Sequence, residues 1–182
     1  MGVIGDSTFL HSGITSLLNM VYNNSDALII ILDNSTTAMT GMQEHPGTGY
    51  TLMGKEAKKV NLNVLVSALG VQNIRVIDPN NLKETKNAIK EELASSGPSV
   101  IIAQRPCALF KRANIKPQLP LKVDADKCEG CKSCLGLNCP PISWKKGVTR
   151  EGSKRKGISF IDETFCNGCG LCAQVCKFGA IS

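Results

Sequence analysis

Aromatic side chains make up only 4% of this 182-residue chain, with a single tryptophan, so its core must be built mainly from aliphatic residues. No apolar stretch approaches the roughly 18 to 20 residues that cross a bilayer, and no membrane partner is expected. The N-terminus lacks a charged segment followed by an apolar run and a cleavage site, so a secretory leader is not expected either. The nine cysteines are therefore not expected to form disulfides, and a reducing cytoplasm is the expected compartment. Histidine is scarce, with His11 and His45 alone. An apolar content of 42% at this length fits one medium domain and one small one.

Cysteine is what the chain has in quantity, and eight of the nine fall in two runs: Cys128, Cys131, Cys134 and Cys139, then Cys166, Cys169, Cys172 and Cys176. Each run opens with C-x2-C-x2-C, a spacing that lets one tight loop present three thiolates to a cubane while the fourth comes from a distance. Zinc ribbons would instead need C-x2-C pairs separated by a dozen or more residues. Two [4Fe-4S] clusters are the direct reading. In a two-cluster ferredoxin the fourth cysteine of each run ligates the other cluster. That assigns Cys128, Cys131, Cys134 and Cys176 to the first cluster and Cys139, Cys166, Cys169 and Cys172 to the second. Gly130, Gly168 and Gly170 suit a chain wrapped closely round such a group. The formal charge of +6 counts these cysteines as neutral. Loaded cubanes are anionic, so the charge does not point to nucleic acid.

The first 105 or so residues alternate between strand and helix patterns. Residues 1–4 read as a strand, and Ser12 as the cap of a helix with Ile14, Leu17, Leu18 and Val21 at helical spacing. Residues 27–32 form a continuous apolar run, as in a strand covered on both faces. A Gly- and Thr-rich loop from Asp33 to about Thr51 is long enough to be a site candidate. Asn61 then caps a helix carrying Leu62, Leu65, Val66 and Leu69, which Gly70 stops. Residues 73–77 read as a strand broken by Asp78-Pro79, Leu82, Ile89 and Leu93 mark another helix, and residues 100–103 close the pattern. This rhythm predicts an α/β domain with a parallel sheet between helices. Pro117 and Pro120 read as a linker, giving domains of 1–113 and 114–182.

Gly5-Asp6-Ser7 follows the first strand and Asp33-Asn34 the second, with 26 residues between Ser7 and Asn34. Both fall at carboxyl ends of parallel strands, where open α/β sheets place ligands. A carboxylate, an amide oxygen and a backbone carbonyl are hard oxygens of the kind Mg2+ takes beside a diphosphate. A helix beginning near Ser12 could add N–H groups to the phosphates.

The G-D-x … N pattern is similar to the thiamine-diphosphate motif, which implies that Asp6, Asn34 and the backbone carbonyl of Thr36 bind Mg2+. The segments Gly5 to Phe9, His11-Ser12-Gly13, Asp33 to Gly41 and His45 to Gly49, with Arg105-Pro106-Cys107 and both cysteine runs, resemble the alpha subunit of indolepyruvate ferredoxin oxidoreductase. The resemblance implies a thiamine-diphosphate-binding domain, incomplete at its N-terminus, followed by a small α+β ferredoxin-like domain with two [4Fe-4S] clusters. It also implies oxidative decarboxylation of an aryl 2-oxo acid with coenzyme A, electrons passing to ferredoxin, and a smaller beta subunit as partner. The glutamate that activates the thiamine ring in that family is expected in a region preceding Met1. Lys177 stands where the ferredoxin pattern has proline after the last cysteine, whereas Cys139-Pro140 keeps it, and Lys177 is expected to alter one cluster's potential. The alternative class is an electron-carrying module whose α/β part only docks it to a partner.

Other residues carry weaker signals. His45 lies in the loop by the expected cofactor and is the candidate for touching diphosphate or substrate, with His11 behind it. Cys107, outside both runs, reads as a core cysteine. Lys145, Lys146, Arg150, Lys154, Arg155 and Lys156 read as a hairpin tip, with Ile158, Phe160 and Ile161 returning as a strand. A solvated basic loop is the ordinary reading of this stretch, and docking of an acidic ferredoxin is the functional one.

Overall fold

The computed structural model describes residues 1–110, 112, 118–149 and 154–182. Pro117, Arg150 and the boundary expected between residues 113 and 114 lie outside them. The chain forms two compact units, Met1–Ile115 and Lys116–Ser182.

In the first unit, the run Leu28–Asp33 forms β2, with three consecutive isoleucines suited to a pleated strand. It pairs with β1 (Gly2–Gly5) on one side and β4 (Ser99–Gln104) on the other, and β3 (Asn73–Ile77) completes the order β1-β2-β4-β3. All three pairings are parallel, so Gly5, Asp33, Ile77 and Gln104 end their strands on one edge.

Side chains alternate across the sheet with the period of two that the pleat imposes. Ile31, Val100 and Ile102 point to one core, where they meet Phe9, Leu17, Leu62 and Val66. Leu28, Ile30, Ile101 and Ala103 point to the other, against Ile77 and Ala88. Helices α2 (Ile14–Tyr22) and α3 (Leu62–Ala68) thus cover one face and α4 (Leu82–Ala94) the other. Ile31, Val66, Val100 and Ile101 are wholly buried, and each such side chain contributes about 1.5–3 kcal/mol by leaving water. Asn61 caps α3 by accepting from Val64 N at 3.2 Å, and Gly70 ends it with φ +98°. Asn81 caps α4 in the same way through Glu84 N.

The first helix departs from expectation. The chain turns directly from β1 into α1 (Asp6–Thr8), continues through a π-helical stretch at Phe9–Gly13 and runs on as α2. Ser12 therefore caps nothing: it sits inside the helix with its Oγ donating to Thr8 O at 3.1 Å. The N-terminus of this helix is therefore at Asp6 rather than near Ser12. Leu18 and Leu93 fall on exposed faces of their helices.

The second unit is built round an antiparallel pair, β5 (Ile142–Lys146) and β6 (Gly157–Ile161). A 3-10 turn at Ser133–Leu137, α5 (Leu171–Val175) and a bridge between Val123 and Ile181 surround it. Its core is small: Cys134, Ile161, Cys172 and Ile181 are buried, with Leu121, Ile142 and Val175 packed alongside.

Candidate cofactor sites

Asp6 opens α1 at the carboxyl end of β1 and is almost fully buried. Its Oδ1 accepts from Ser7 N at 2.8 Å and its Oδ2 from Ser35 N at 3.0 Å. The second bond ties the turn after β2 to the turn after β1, which is possible because Ser35 adopts a left-handed φ of +62°. Asn34 is held from the far side of the sheet: its carbonyl accepts from Cys107 N, and the Asp33 carbonyl from Arg105 N, each at 2.9 Å. The Asn34 side-chain oxygen meanwhile accepts from Thr36 N at 3.2 Å. Thr37 Oγ1 donates to Ser7 Oγ at 3.0 Å. Gly5, Asp6, Ser7, Asn34 and Thr36 are thus gathered at the ends of β1 and β2.

Two residues at this edge were not legible as partners. Asp33 is buried beside Asp6, with Oδ1 accepting from Ser35 N and Oδ2 from Gln104 Nε2 at 2.7 Å. His45 is buried too, with Nε2 3.3 Å from Asp6 Oδ2, close enough to pair but not aligned as a hydrogen bond. Its Nδ1 accepts from Gly47 N at 3.1 Å, which leaves the ring proton on Nε2, facing the carboxylate. Alternating Gly and Thr hid this, because nothing in a loop's spacing says that it folds back 39 positions onto Asp6. Cys107 is half-buried rather than a core residue. His11 is exposed, its Nδ1 2.6 Å from Ser7 O.

Burial pushes the Asp6 carboxyl above its ordinary value, and neighbouring Asp33 adds to this, while the Ser7 N–H and His45 oppose it. The Asp6 carboxyl, the Asn34 amide oxygen and the Thr36 carbonyl at this edge are hard oxygens of the kind a divalent cation takes.

In the second unit the cysteines separate into two sets. Cys128, Cys131, Cys134 and Cys176 line one narrow pocket of about 20 Å³ together with Val123, Phe178 and Ile181. Cys176 thus joins the first run across 42 positions of sequence. Cys139 lies near Cys166 and Cys169 electrostatically, and so does Cys172. Each set combines three cysteines of one run with the last of the other. None of these eight, nor Cys107, forms a disulfide. Among the described residues, no three His, Cys, Asp or Glu side chains converge on a point that would hold a single ion. The cysteines of the first set line a common pocket instead, and four thiolates are the donor set that a [4Fe-4S] cluster takes.

Polar contacts reach several sulfurs. Ser159 Oγ lies 3.0 Å from Cys134 Sγ, Ser133 Oγ 3.4 Å from Cys131 Sγ, and Ala180 N donates to Cys176 Sγ at 3.3 Å. Ser133 chiefly, with a smaller contribution from Lys177, holds the Cys131 thiol below its ordinary value. Burial pushes Cys172 up to about 11 and raises Cys139. Such contacts are the levers by which a protein sets a cluster's potential.

The basic stretch divides. Lys145, Lys146, Lys154 and Lys156 are exposed, with Lys145 Nζ 3.8 Å from the centre of the Phe160 ring. Arg155 is buried and does not belong to a solvated loop. Its Nη1 donates to the carbonyls of Ala125 and Cys128 at 2.5 and 2.7 Å, because the turn before β6 aims this one side chain inward.

Comparison with known proteins agrees with both halves. Residues 1–103 match the family model of the thiamine pyrophosphate enzyme C-terminal TPP binding domain, and residues 160–182 match that of a 4Fe-4S binding domain. The chain is 41% identical over 185 residues to indolepyruvate oxidoreductase subunit IorA of Pyrococcus horikoshii, covering 99% of this chain and 27% of that protein. It is 43% identical over 182 residues to the subunit of the same name from Pyrococcus abyssi, covering 97% and 27%. It therefore spans about a quarter of the length of these relatives. A solved structure, 2-oxoglutarate:ferredoxin oxidoreductase from Magnetococcus marinus with 2-oxoglutarate, coenzyme A and succinyl-CoA bound, superposes over 96% of this chain and 61% of that one. Its TM-score is 0.53 at 16% identity, a likeness of fold. The parallel sheet carrying Asp6 and Asn34 and the match over residues 1–103 lead to one conclusion: the chain belongs to the thiamine pyrophosphate enzymes, through their C-terminal TPP binding domain.

Proposed function

We propose that this chain is the diphosphate-binding and electron-transferring part of a 2-oxo acid:ferredoxin oxidoreductase that acts on aryl 2-oxo acids of the indolepyruvate type. The tie between Asp6 Oδ2 and Ser35 N carries this reading, because it fixes the two halves of the diphosphate motif against each other. Asp6, the Asn34 side chain and the Thr36 carbonyl would hold Mg2+, and Gly5 and Ser7 would border the diphosphate. His45 would keep the Asp6 carboxylate oriented toward the metal. When bound, thiamine diphosphate would supply the carbanion-stabilising chemistry that decarboxylation of a 2-oxo acid needs.

The reaction balances as oxo acid, coenzyme A thiol and two oxidised ferredoxins giving acyl thioester, CO2, a proton and two reduced ferredoxins. Cys128, Cys131, Cys134 and Cys176 would hold one [4Fe-4S] cluster, and Cys139, Cys166, Cys169 and Cys172 the other, each passing one electron at a time. The IorA relatives support an aryl substrate and a second subunit, and the 2-oxo acid and coenzyme A in the solved structure support the reaction type.

The test is calorimetry of thiamine diphosphate with Mg2+ on the complete protein with its partner subunit, beside cluster reduction by indolepyruvate. Asp6→Ala is expected to lose the binding heat and the oxo-acid-driven bleaching of the clusters, at least a hundredfold in rate, while dithionite still reduces them. Undiminished binding in Asp6→Ala would remove the carboxylate from the site.

A further inference from the structure

The lysines of the second unit are not spread evenly over it. Lys132, Lys146, Lys154 and Lys156 line one open groove of about 550 Å³ together with Trp144, Glu129 and the buried Arg155. All four lysines are exposed. Among the described residues that line the groove, Glu129 is the one acidic side chain. Lys132 Nζ stands 4.7 Å from the centre of the Trp144 ring, so the floor is an indole with a cation laid over it.

The position of this groove matters as much as its charge. Glu129, Gly130 and Lys132 belong to the loop between Cys128 and Cys134, so one wall of the groove is the loop that lines the Cys128–Cys131–Cys134–Cys176 space on its other side. Gly130 permits this close approach: its φ is +67°, and a Cβ there would come within 2.7 Å of Gly157 O. Cys131 is the most exposed cysteine of the two sets. A partner seated in the groove would therefore sit one loop's thickness from the first cluster.

We propose that this groove is the docking face for an acidic, one-electron iron–sulfur carrier protein, and that electrons leave through the cluster held by Cys128, Cys131, Cys134 and Cys176. The inference rests on the oxidoreductase reading and names its exit. In each encounter the reduced cluster gives up one electron and returns to its oxidised state, and the carrier's oxidised cluster takes it up; no proton or bond changes hands. Four lysines lining one groove attract an anionic carrier at long range, and Trp144 offers an apolar surface once water is expelled. Exposed charges of this kind act chiefly on the rate of encounter, and salt screens them.

The experiment uses the complete enzyme with its clusters and a purified acidic two-[4Fe-4S] ferredoxin, with stopped-flow reduction rates measured over a range of ionic strength. A triple variant, Lys146→Glu, Lys154→Glu and Lys156→Glu, is expected to slow ferredoxin reduction by about tenfold or more at low salt. Its salt dependence should flatten or invert, while reduction of a neutral nitroimidazole is unchanged. A matched reversal on α4, Lys83→Glu, Lys86→Glu and Lys90→Glu, should leave the ferredoxin rate near that of the parent.

Carbodiimide cross-linking of the unaltered enzyme to the same ferredoxin gives an answer that needs no variant: Lys132, Lys146, Lys154 or Lys156 should be among the linked residues. Parent-like salt dependence in the triple variant, equal slowing by the α4 reversal, or cross-links confined to other lysines would each overturn the docking face and leave the oxidoreductase reading intact. A parent enzyme that reduces the nitroimidazole but never the ferredoxin would overturn the carrier as acceptor, and the groove with it.

Discussion

Arg155 shows how one side chain can have its role reversed by its surroundings. In the sequence it is one of six cations in a stretch that reads as a wet loop, and only its neighbours keep that character. Buried, with one guanidinium nitrogen donating to Ala125 O and Cys128 O, it closes the backbone at the start of the first cysteine loop. A hydrogen bond to a charged group contributes about 1.5–3 kcal/mol, and removing the donor leaves buried carbonyls with an unmet demand. Arg155→Leu is therefore expected to lower the melting temperature of the second unit and to reduce iron and acid-labile sulfide toward one cluster per chain. Arg155→Lys should recover only part of this, because an ammonium is a point charge without the planar fork. Full cluster content and unchanged melting in Arg155→Leu would show that the loop holds itself.

At the scale of elements, most of the first unit could be read in advance, because its strands are short apolar runs between clear punctuation and its α3 helix has an Asn cap and a Gly stop. Residues 73–77 and the cap at Asn61 needed only local chemistry. The start of the first helix did not follow, since Ser12 offers a good cap and nothing local reveals that Asp6 already opens the helix and that a π-helical stretch absorbs the intervening turn. Asp33 and His45 were hidden for a related reason: their partners lie across the sheet edge, and contacts of that range leave no periodic trace. The cysteine runs were the reverse case, since ligand spacing reports a fold through the group it wraps.

That wrapping can be tested at the glycines. Gly168 has φ +71°, and a Cβ there would stand 2.6 Å from Leu119 O and 2.7 Å from Gln118 Cβ, so the second cysteine loop and the 118–119 segment fit only around a bare Cα. Gly136, with nothing within 4 Å of its Cβ position, is the control. Gly168→Ala is expected to destabilise the loaded unit by about 1–3 kcal/mol and to cut occupancy of the cluster held by Cys139, Cys166, Cys169 and Cys172. Gly136→Ala should match the parent in both denaturation and iron content, and equal behaviour of the two variants would contradict the close approach.

For the whole molecule, the two units differ in what stabilises them. The first buries two aliphatic cores against a four-stranded sheet, whereas among the described residues the core cluster of the second holds Cys134, Ile161, Cys172 and Ile181, two of them cysteines. Domains below roughly 70–80 residues seldom gain enough from a single core and need staples such as metal groups. Lys116–Ser182 is a unit of that size, with a two-stranded sheet and a five-residue helix. Binding energy of the clusters would then be folding energy for the second unit and not for the first. Stripping iron from the complete protein with a chelator and oxidant, under reductant-free anaerobic conditions, is expected to abolish the amide exchange protection of residues 118–182. Protection of Ile31, Val66, Val100 and Ile101 should persist, and binding of thiamine diphosphate with Mg2+ should survive with an affinity within a few-fold of the loaded enzyme. Loss of protection in both units together would mean that the sheet depends on the clusters as well, and retention in both would mean that the small core round Ile161 and Ile181 is enough.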